Sequence, residues 1–516
     1  MMNKNRFWDR PWTLSITASI LLSLSFPPFD LSILQIPAFI FLFRIAIISR
    51  SVRETVLYTY PAFVLWNLFV TYWLMMATVA GGLAAILANA AIMVIPLLVI
   101  RYLFKSGINP ILASFFAASV WVSYEFLHHN WDLAWPWLTL GNGWSNLINV
   151  IQYISVTGVF GISFWVVFTA ALIYNYIEEL VKPILYSAII IFLAFPVFSI
   201  FSIIMQTQEQ GDPVEVAIIQ PNSDSYEAYG GMGSLNALLD KLLHISGETV
   251  TENTDVLIWP ENAIDSALQF NNRYFTTIQD SLDTWNTTLI TGLGYVEIYD
   301  EGNRPEVVRE SDTGRMFNVF NAAIYFDSER SKQVYRKGRL VPIVERFPFV
   351  EFFQTIDIFN WVDWGELAGY GLGLEANNFN VNGSPTPALI CYDSVFPGWV
   401  NQFVQNGAGF LTIITNDGWW GDSNGHVQHF AFARLRAIEH RKWIARSANN
   451  GISGIISPDG KVQVATEYWT EDAFTFTIYD RNIPTFFTKY GDWFSYLMLF
   501  STLIGIGMIV FKKKND

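Results

Sequence analysis

The chain has 516 residues, of which 52% are hydrophobic and only 15% charged, with a formal net charge of −14 and a mean hydropathy of +0.30. A soluble protein carries roughly a quarter charged residues, so a large membrane part is implied, and the acidic balance excludes a nucleic-acid binder. The single cysteine, Cys391, rules out an intrachain disulfide and a cysteine-based zinc cluster.

Residues 1–206 hold nearly all the long apolar runs. Spans are predicted near 12–28, 31–49, 56–78, 82–104, 110–128, 154–177 and 183–205. Each is close to the roughly 20 residues a helix needs to cross the hydrocarbon core. Pro61 and Pro196 fall inside two of them, which membrane helices tolerate. An eighth span covers 492–511 and runs straight into Lys512, Lys513 and Lys514. The first span follows Lys4, Arg6 and Arg10, like a signal peptide, but lacks a small-residue cleavage site. Basic residues then recur on alternate loops: Arg50 and Arg53, Arg101 and Lys105, Lys182, and the final lysines. By the positive-inside rule both termini are cytoplasmic and 207–490 lies outside. Three regions are expected: a helical membrane domain over 1–206, an exported domain over 207–490, and a membrane helix with a basic tail over 491–516.

The outside loop 128–146 carries Trp131, Trp135, Trp137 and Trp144. It fits an interfacial aromatic belt and equally a lipid-binding rim beside an active site. His128 and His129 lack further ligands at metal-binding spacing, so an interfacial role is expected of them. After a polar linker at 207–213, short β-prone runs at 214–221, 255–261, 287–295, 318–326, 387–393, 409–417 and 453–460 alternate with helical stretches at 234–252, 270–284 and 425–442. Such alternation predicts an α/β domain with helices packed on sheets.

Four stretches of this half carry chemistry. In PALICYDSVFPGW, Cys391 ends a β-prone run; a lone cysteine there suits a small buried hydrophobe or a nucleophile at a sheet rim. Glu261 follows DVLIWP and suits a general base or a helix-capping acid. Lys337, in YRKGRLVPIVERFP, suits a solvated cation or a group that lowers a thiol pKa and holds an oxyanion. Glu345, in the same stretch, pairs with Lys337 or with a surface cation. In TNDGWWGDSNGHVQHF, Asn416, Asp417, Gly418 and Gly421 suit a tight loop. His426 and His429 stand three apart on one helix face, yet zinc needs more ligands than this stretch offers. Arg434, Arg436, Glu439 and Arg446 are expected to form a structural ion network.

In order along the chain, WPENA, YRKGRLVP, ICYDSVF and TNDGWWGD resemble the motifs of the nitrilase superfamily. With the multi-span N-terminal region, the PWLTLGNGW loop and the final span, the chain is similar to that superfamily's membrane-embedded branch, the apolipoprotein N-acyltransferase family. The resemblance implies a multi-span α-helical membrane domain plus an α/β nitrilase-like α-β-β-α sandwich. It implies Glu261 as general base, Lys337 as oxyanion stabiliser and Cys391 as nucleophile, with Glu345, Tyr392 and Asp393 in support. Trp137, Tyr229, Trp419 and Trp420 are the expected substrate-binding residues, Tyr229 lying in a gating arm. A phospholipid acyl donor, a diacylglyceryl-cysteine apolipoprotein acceptor and the bilayer are the implied partners, with the catalytic domain on the periplasmic side of a bacterial inner membrane. No metal or organic cofactor is implied, and a monomer is expected. Two other readings stay open: a membrane-tethered amidase or nitrilase-type hydrolase of a small substrate, and a degenerate binding scaffold.

Overall fold

The computed structural model describes residues 7–204, 211–264, 269–327, 332–356 and 362–515. Lys4, Arg6 and most of the linker at 207–213 lie outside the described residues. The N-terminal half is helical: α1 (Pro11–Leu24), α2 (Gln35–Ile48), α3 (Val52–Thr71), the single turn α4 (Leu74–Ala77), α5 (Val79–Lys105), α6 (Pro110–His128), the single turn α7 (Ile154–Thr157), α8 (Phe160–Glu179) and α9 (Lys182–Ile204).

Of these, α5, α6, α8 and α9 are long and apolar enough to cross a membrane. Four expected spans are shorter than their apolar runs or broken within them: α2 covers only Gln35–Ile48 of 31–49, and α3 ends at Thr71 within 56–78. α1 stops before Pro27 and Pro28, which cannot donate to a continuing helix. The run at 154–177 breaks at Gly158, whose φ of +66° starts a new helix. A β-carbon at Gly158 would also strike the Phe487 ring. α9 exposes Ile190, Leu193, Val197 and Phe201, an apolar surface of the kind that meets lipid.

The second half is a sandwich. Its first sheet is built from β1 (Pro213–Gln220), β2 (Val256–Ile258), β3 (Thr288–Tyr299), β4 (Arg309–Glu310), β5 (Met316–Phe326) and β6 (Lys332–Arg336), with α10 (Leu235–Thr249) and α11 (Asn272–Trp285) between strands. The single turns α12 (Val350–Gln354) and α13 (Trp364–Leu367) and the hairpin β7 (Phe379–Val381) and β8 (Ser384–Thr386) lead to the second sheet. That sheet comprises β9 (Ala388–Ile390), β10 (Leu411–Thr415), β11 (Ile444–Ala448), β12 (Gly454–Ile456) and β13 (Val462–Ala465). Helices α14 (Pro397–Gln405) and α15 (Asn424–His440) separate its first strands. β14 (Asp472–Tyr479) returns to the first sheet, before α16 (Phe486–Tyr490) and the membrane-length α17 (Trp493–Asn515).

The first sheet runs β14-β1-β2-β3-β5-β4, with β6 also on β5; the second runs β13-β12-β11-β10-β9. β1, β2 and β3 are parallel, as are β9, β10 and β11. Strand alternation divides the side chains between two cores. Val216, Ile218 and Ile258 meet Ile390, Ile413 and Ile455 between the sheets. Ala217, Ile219 and Leu257 face α10 and α11 instead. Phe432, Ala433 and Ala437 of α15 cover the second sheet, which completes an α-β-β-α order. Leu435 and Ile438, on the other face of α15, belong to the core of the membrane half. One helix therefore serves both cores and ties the halves together.

Polar bonds reinforce that seam. Gln428 on α15 accepts from the indole N–H groups of Trp137 (2.7 Å) and Trp73 (3.2 Å) and donates to the carbonyls of Pro27 (3.0 Å) and Val70 (3.2 Å). The Trp-rich loop is a docking plate rather than a uniform belt: Trp137 and Trp144 are buried, and Trp131 is 40% exposed. His128 and His129 are buried rather than interfacial. His128 bonds Asn89 and Trp131, and His129 bonds Thr139.

Candidate active site

Cys391, Glu261 and Asn416 follow the carboxyl ends of parallel strands β9, β2 and β10, the rim where α/β sheets present ligand sites. Lys337 follows β6, and its N–H bonds the Asn321 carbonyl on β5 (2.9 Å). Two glycines let this rim close. A β-carbon at Gly292 would lie 2.6 Å from the Glu261 Cα, and one at Gly338 would lie 2.1 Å from the Trp399 ring.

Lys337 is 1% exposed and lies between two acids. Its Nζ donates to Glu345 Oε1 (2.8 Å) and to Glu261 Oε1 (3.3 Å). Asn321 Nδ2 bridges the same oxygens, at 2.8 Å from Glu261 and 3.1 Å from Glu345. The second oxygen of Glu261 accepts the Asn416 backbone N–H (2.9 Å), and that of Glu345 accepts the Val341 N–H (2.7 Å). A buried carboxylate and a half-buried one thus share one ammonium. Burial and the neighbouring Glu345 push the Glu261 pKa up, against the pull of Lys337 and its hydrogen bonds. Burial lowers the Lys337 pKa, but Glu345 and Glu261 outweigh it and hold the ammonium well above its ordinary value.

Cys391 opens a tight turn over Cys391–Val395 with φ at +46°, a left-handed conformation that a side chain adopts only when its surroundings enforce it. Asp393 supplies much of that enforcement. Its Oδ1 accepts from the N–H groups of Arg339 (2.7 Å) and Gly338 (3.2 Å); its Oδ2 accepts from Tyr335 Oη (2.8 Å) and the Ile390 N–H (3.1 Å). It pins the strand end that carries Lys337 to the turn that carries the thiol. Burial raises the Asp393 pKa to about 6. Tyr392 points the other way and donates its hydroxyl to the Ala134 carbonyl (2.9 Å) in the Trp-rich loop. Burial and the Glu261 charge push the Cys391 thiol pKa well up, and Lys337 pulls it down. Cys391 therefore lies within the electrostatic reach of both Glu261 and Lys337.

The expected substrate-binding residues separate. Trp137 is 1% exposed and hydrogen-bonded, packed on Trp73, Trp135 and Trp420. Trp419 and Tyr229 are 40% and 39% exposed. Both line a cavity of about 310 Å³ with Ser223, Asn262, Tyr370 and Asn416. Asn262 and Asn416 adjoin Glu261, so the cavity abuts that carboxylate. The arm over 222–233 docks there through Ser225 Oγ on Asn416 Oδ1 (2.7 Å) and Tyr226 Oη on the Trp419 carbonyl (2.9 Å).

A second buried set lies behind the thiol. Asp417 Oδ2 bonds Arg446 (2.8 Å), and its Oδ1 bonds His429 Nδ1 (2.9 Å) and Thr415 Oγ1 (2.7 Å). Cys391, Asp417 and His429 bring ligand-type atoms within 4.8 Å of one another. Arg446 already neutralises Asp417 and stands 3.1 Å from His429 Nδ1, so these residues do not fit a cation. His426 stacks on Tyr468 instead. The expected single ion network is two separate pairs, Arg446 with Asp417 and Arg436 with Glu439 (2.7 Å), while Arg434 bonds Asn146 and the Gly460 carbonyl. Sequence reading missed Asn321 as a bridge between the acids. Its only signal was its place as one of two asparagines, with Asn318, in a mostly apolar strand.

Residues 18–172 match the family described as apolipoprotein N-acyltransferase N-terminal domain, and residues 215–482 match carbon-nitrogen hydrolase. An apolipoprotein N-acyltransferase of Chlorobaculum tepidum is 30% identical over 95% of this chain and 94% of its own. One of Thermotoga maritima is 24% identical over 98% and 97%. Among solved structures, a CN-hydrolase superfamily protein of Xanthomonas campestris aligns with 52% of this chain and 91% of its own, at 17% identity and a TM-score of 0.35. With both halves matched in order and a 30% identical relative aligned along nearly the whole length, this chain belongs to the apolipoprotein N-acyltransferase family.

Proposed function

We propose that this protein moves an acyl chain from a phospholipid, through a thioester on Cys391, to the α-amino group of a diacylglyceryl-cysteine at the N-terminus of apolipoproteins. The observation that carries the reading is one buried set, Glu261, Lys337 and Glu345, acting on a thiol whose turn is anchored to the membrane half through Tyr392. Glu261 takes the thiol proton as sulfur attacks the ester carbonyl. Negative charge passes from one side of Lys337 to the other, so the buried set keeps its net charge. Lys337 and the Tyr392 N–H hold the oxyanion, the lysophospholipid leaves with the proton from Glu261, and the thioester remains. The acceptor amine then attacks, Glu261 takes its proton, and the thiol is restored with an amide as product. Glu345 holds Lys337 in place, and Asp393 holds the turn.

Two lipid substrates explain why the sandwich shares a helix with a membrane domain: both can enter laterally without crossing water. The alternating basic loops support a reading with both termini in the cytoplasm and the sandwich on the periplasmic side of the inner membrane. The test supplies labelled phospholipid and a diacylglyceryl-cysteine peptide to the purified protein. Label appears as an amide on the peptide; release of free fatty acid alone would instead indicate a hydrolase. A periplasm-dependent reporter is active near Gly231 and silent after Lys514, and the reverse pattern would remove access to exported lipoproteins.

A further inference from the structure

The acyl-transfer reading leaves His429 without a task, although it is 1% exposed and directly behind the nucleophile. Its Nε2 lies 3.3 Å from the Cys391 carbonyl oxygen and 3.1 Å from Ser394 Oγ; the Ser394 hydroxyl itself donates to that carbonyl at 2.7 Å. On the other side of the ring, Nδ1 meets Asp417 Oδ1 at 2.9 Å. The Cys391 carbonyl can only accept, and so can the Asp417 carboxylate, which Arg446 and Thr415 keep ionised. Nε2 therefore carries the ring proton that reaches the Cys391 carbonyl, while Nδ1 faces both Asp417 Oδ1 and, at 3.1 Å, the donor-only guanidinium of Arg446. The rings of Trp137 and Trp420 pack against the imidazole, at 5.8 Å and 5.7 Å. Burial and the nearby Arg446 outweigh Asp417 and hold the His429 pKa below its ordinary value, in keeping with a single proton on Nε2.

A planar trans peptide points its carbonyl and its N–H in opposite directions. Holding the Cys391 carbonyl toward His429 and Ser394 turns the Tyr392 N–H away from them, toward the side where substrate meets the thiol. We propose that His429 is a positioning residue: it fixes the Cys391–Tyr392 peptide, and with it the backbone donor of the oxyanion site. Asp417 and Arg446 set the ring, and Trp137 and Trp420 link its position to the seam with the membrane half. The proposal rests on the acyl-transfer reading for its consequence in turnover, but the peptide geometry can be tested without it.

The test compares His429→Gln, whose amide N–H can reach toward the Cys391 carbonyl, with His429→Asn, whose amide reaches Asp417 but stops short of it. In single-turnover acylation from labelled phospholipid, His429→Asn is expected to lose about 100-fold in rate with KM unchanged, and His429→Gln to stay within about tenfold of wild type. Alkylation of Cys391 by iodoacetamide needs no lipid and should follow the same order, because the aimed N–H also favours the thiolate. Cys391 is the only thiol in the chain, so the label is unambiguous. Equal rates for wild type and His429→Asn in either assay, or a His429→Gln as slow as His429→Asn with both folded, would overturn the proposal. Failure of wild type to form any acyl-Cys391 would count against the acyl-transfer reading instead, and the alkylation order would still decide the role of His429.

Discussion

Two buried charge clusters flank Cys391, and they are balanced differently. Asp417 is compensated: Arg446, His429 and Thr415 all bond it, and their combined pull outweighs burial and holds its pKa well below the carboxylate range. Glu261 is not: it shares a single ammonium with Glu345, and burial leaves its pKa raised. Residue types and depth are similar, so charge count makes the difference. The compensated cluster braces the fold. The under-compensated one keeps a carboxylate ready to accept a proton, which is what a general base in a closed pocket requires.

The sharpest way to break this comparison is to neutralise each acid. On the proposed mechanism Glu261→Gln removes the proton acceptor, so acylation should fall by about a thousandfold. Its raised pKa means that the Glu261 charge opposes folding at neutral pH and that this penalty is relieved as pH falls through the raised value. The same variant should therefore hold or raise the unfolding temperature, and normal acylation in it would move the base to another residue. Asp417→Asn should do the reverse. Arg446 would be left buried without a countercharge, at about 3–5 kcal/mol of stability, read as a lower unfolding temperature. Wild-type stability in Asp417→Asn would show that the second cluster braces nothing.

Smaller effects sharpen the same contrast. Glu345→Gln keeps the shape beside Lys337 but removes a charge, so acylation should slow by about 100-fold or less while some acyl-enzyme still forms. If it matched Glu261→Gln, the two acids would have no separate roles. The pH profile of wild-type acylation should lose its activity on the acid side at a value above the ordinary carboxylate range, because the proposed base, Glu261, acts ionised and its pKa is raised. An acid limb at the usual carboxylate pKa would contradict that cause.

Much of this was legible in the sequence. The hydropathic runs anticipated the helices, and β-prone runs anticipated β1, β2, β3, β5, β9, β10 and β12. β11, with the sequence Ile444-Ala445-Arg446-Ser447-Ala448, escaped notice because its charge is buried against Asp417, a pairing that local text cannot reveal. β14 was missed because it joins β1 from the far end of the domain. Glu261, Lys337, Glu345 and Cys391 stood out by their motifs, yet their spacing along the chain says nothing of Asn321 bridging the acids. Trp137 looked like a rim residue in a Trp-rich loop; its N–H is taken by Gln428, nearly 300 residues away in the chain.

The central claim is that Cys391 carries the acyl group. Intact mass measurement after exposure to phospholipid, without acceptor, tests it directly. The expected result is a gain of one acyl chain on the peptide containing Cys391, labile to neutral hydroxylamine, absent in Cys391→Ser and discharged when a diacylglyceryl-cysteine peptide is added. An acyl group on any other residue, or transfer at the wild-type rate by Cys391→Ala, would contradict it.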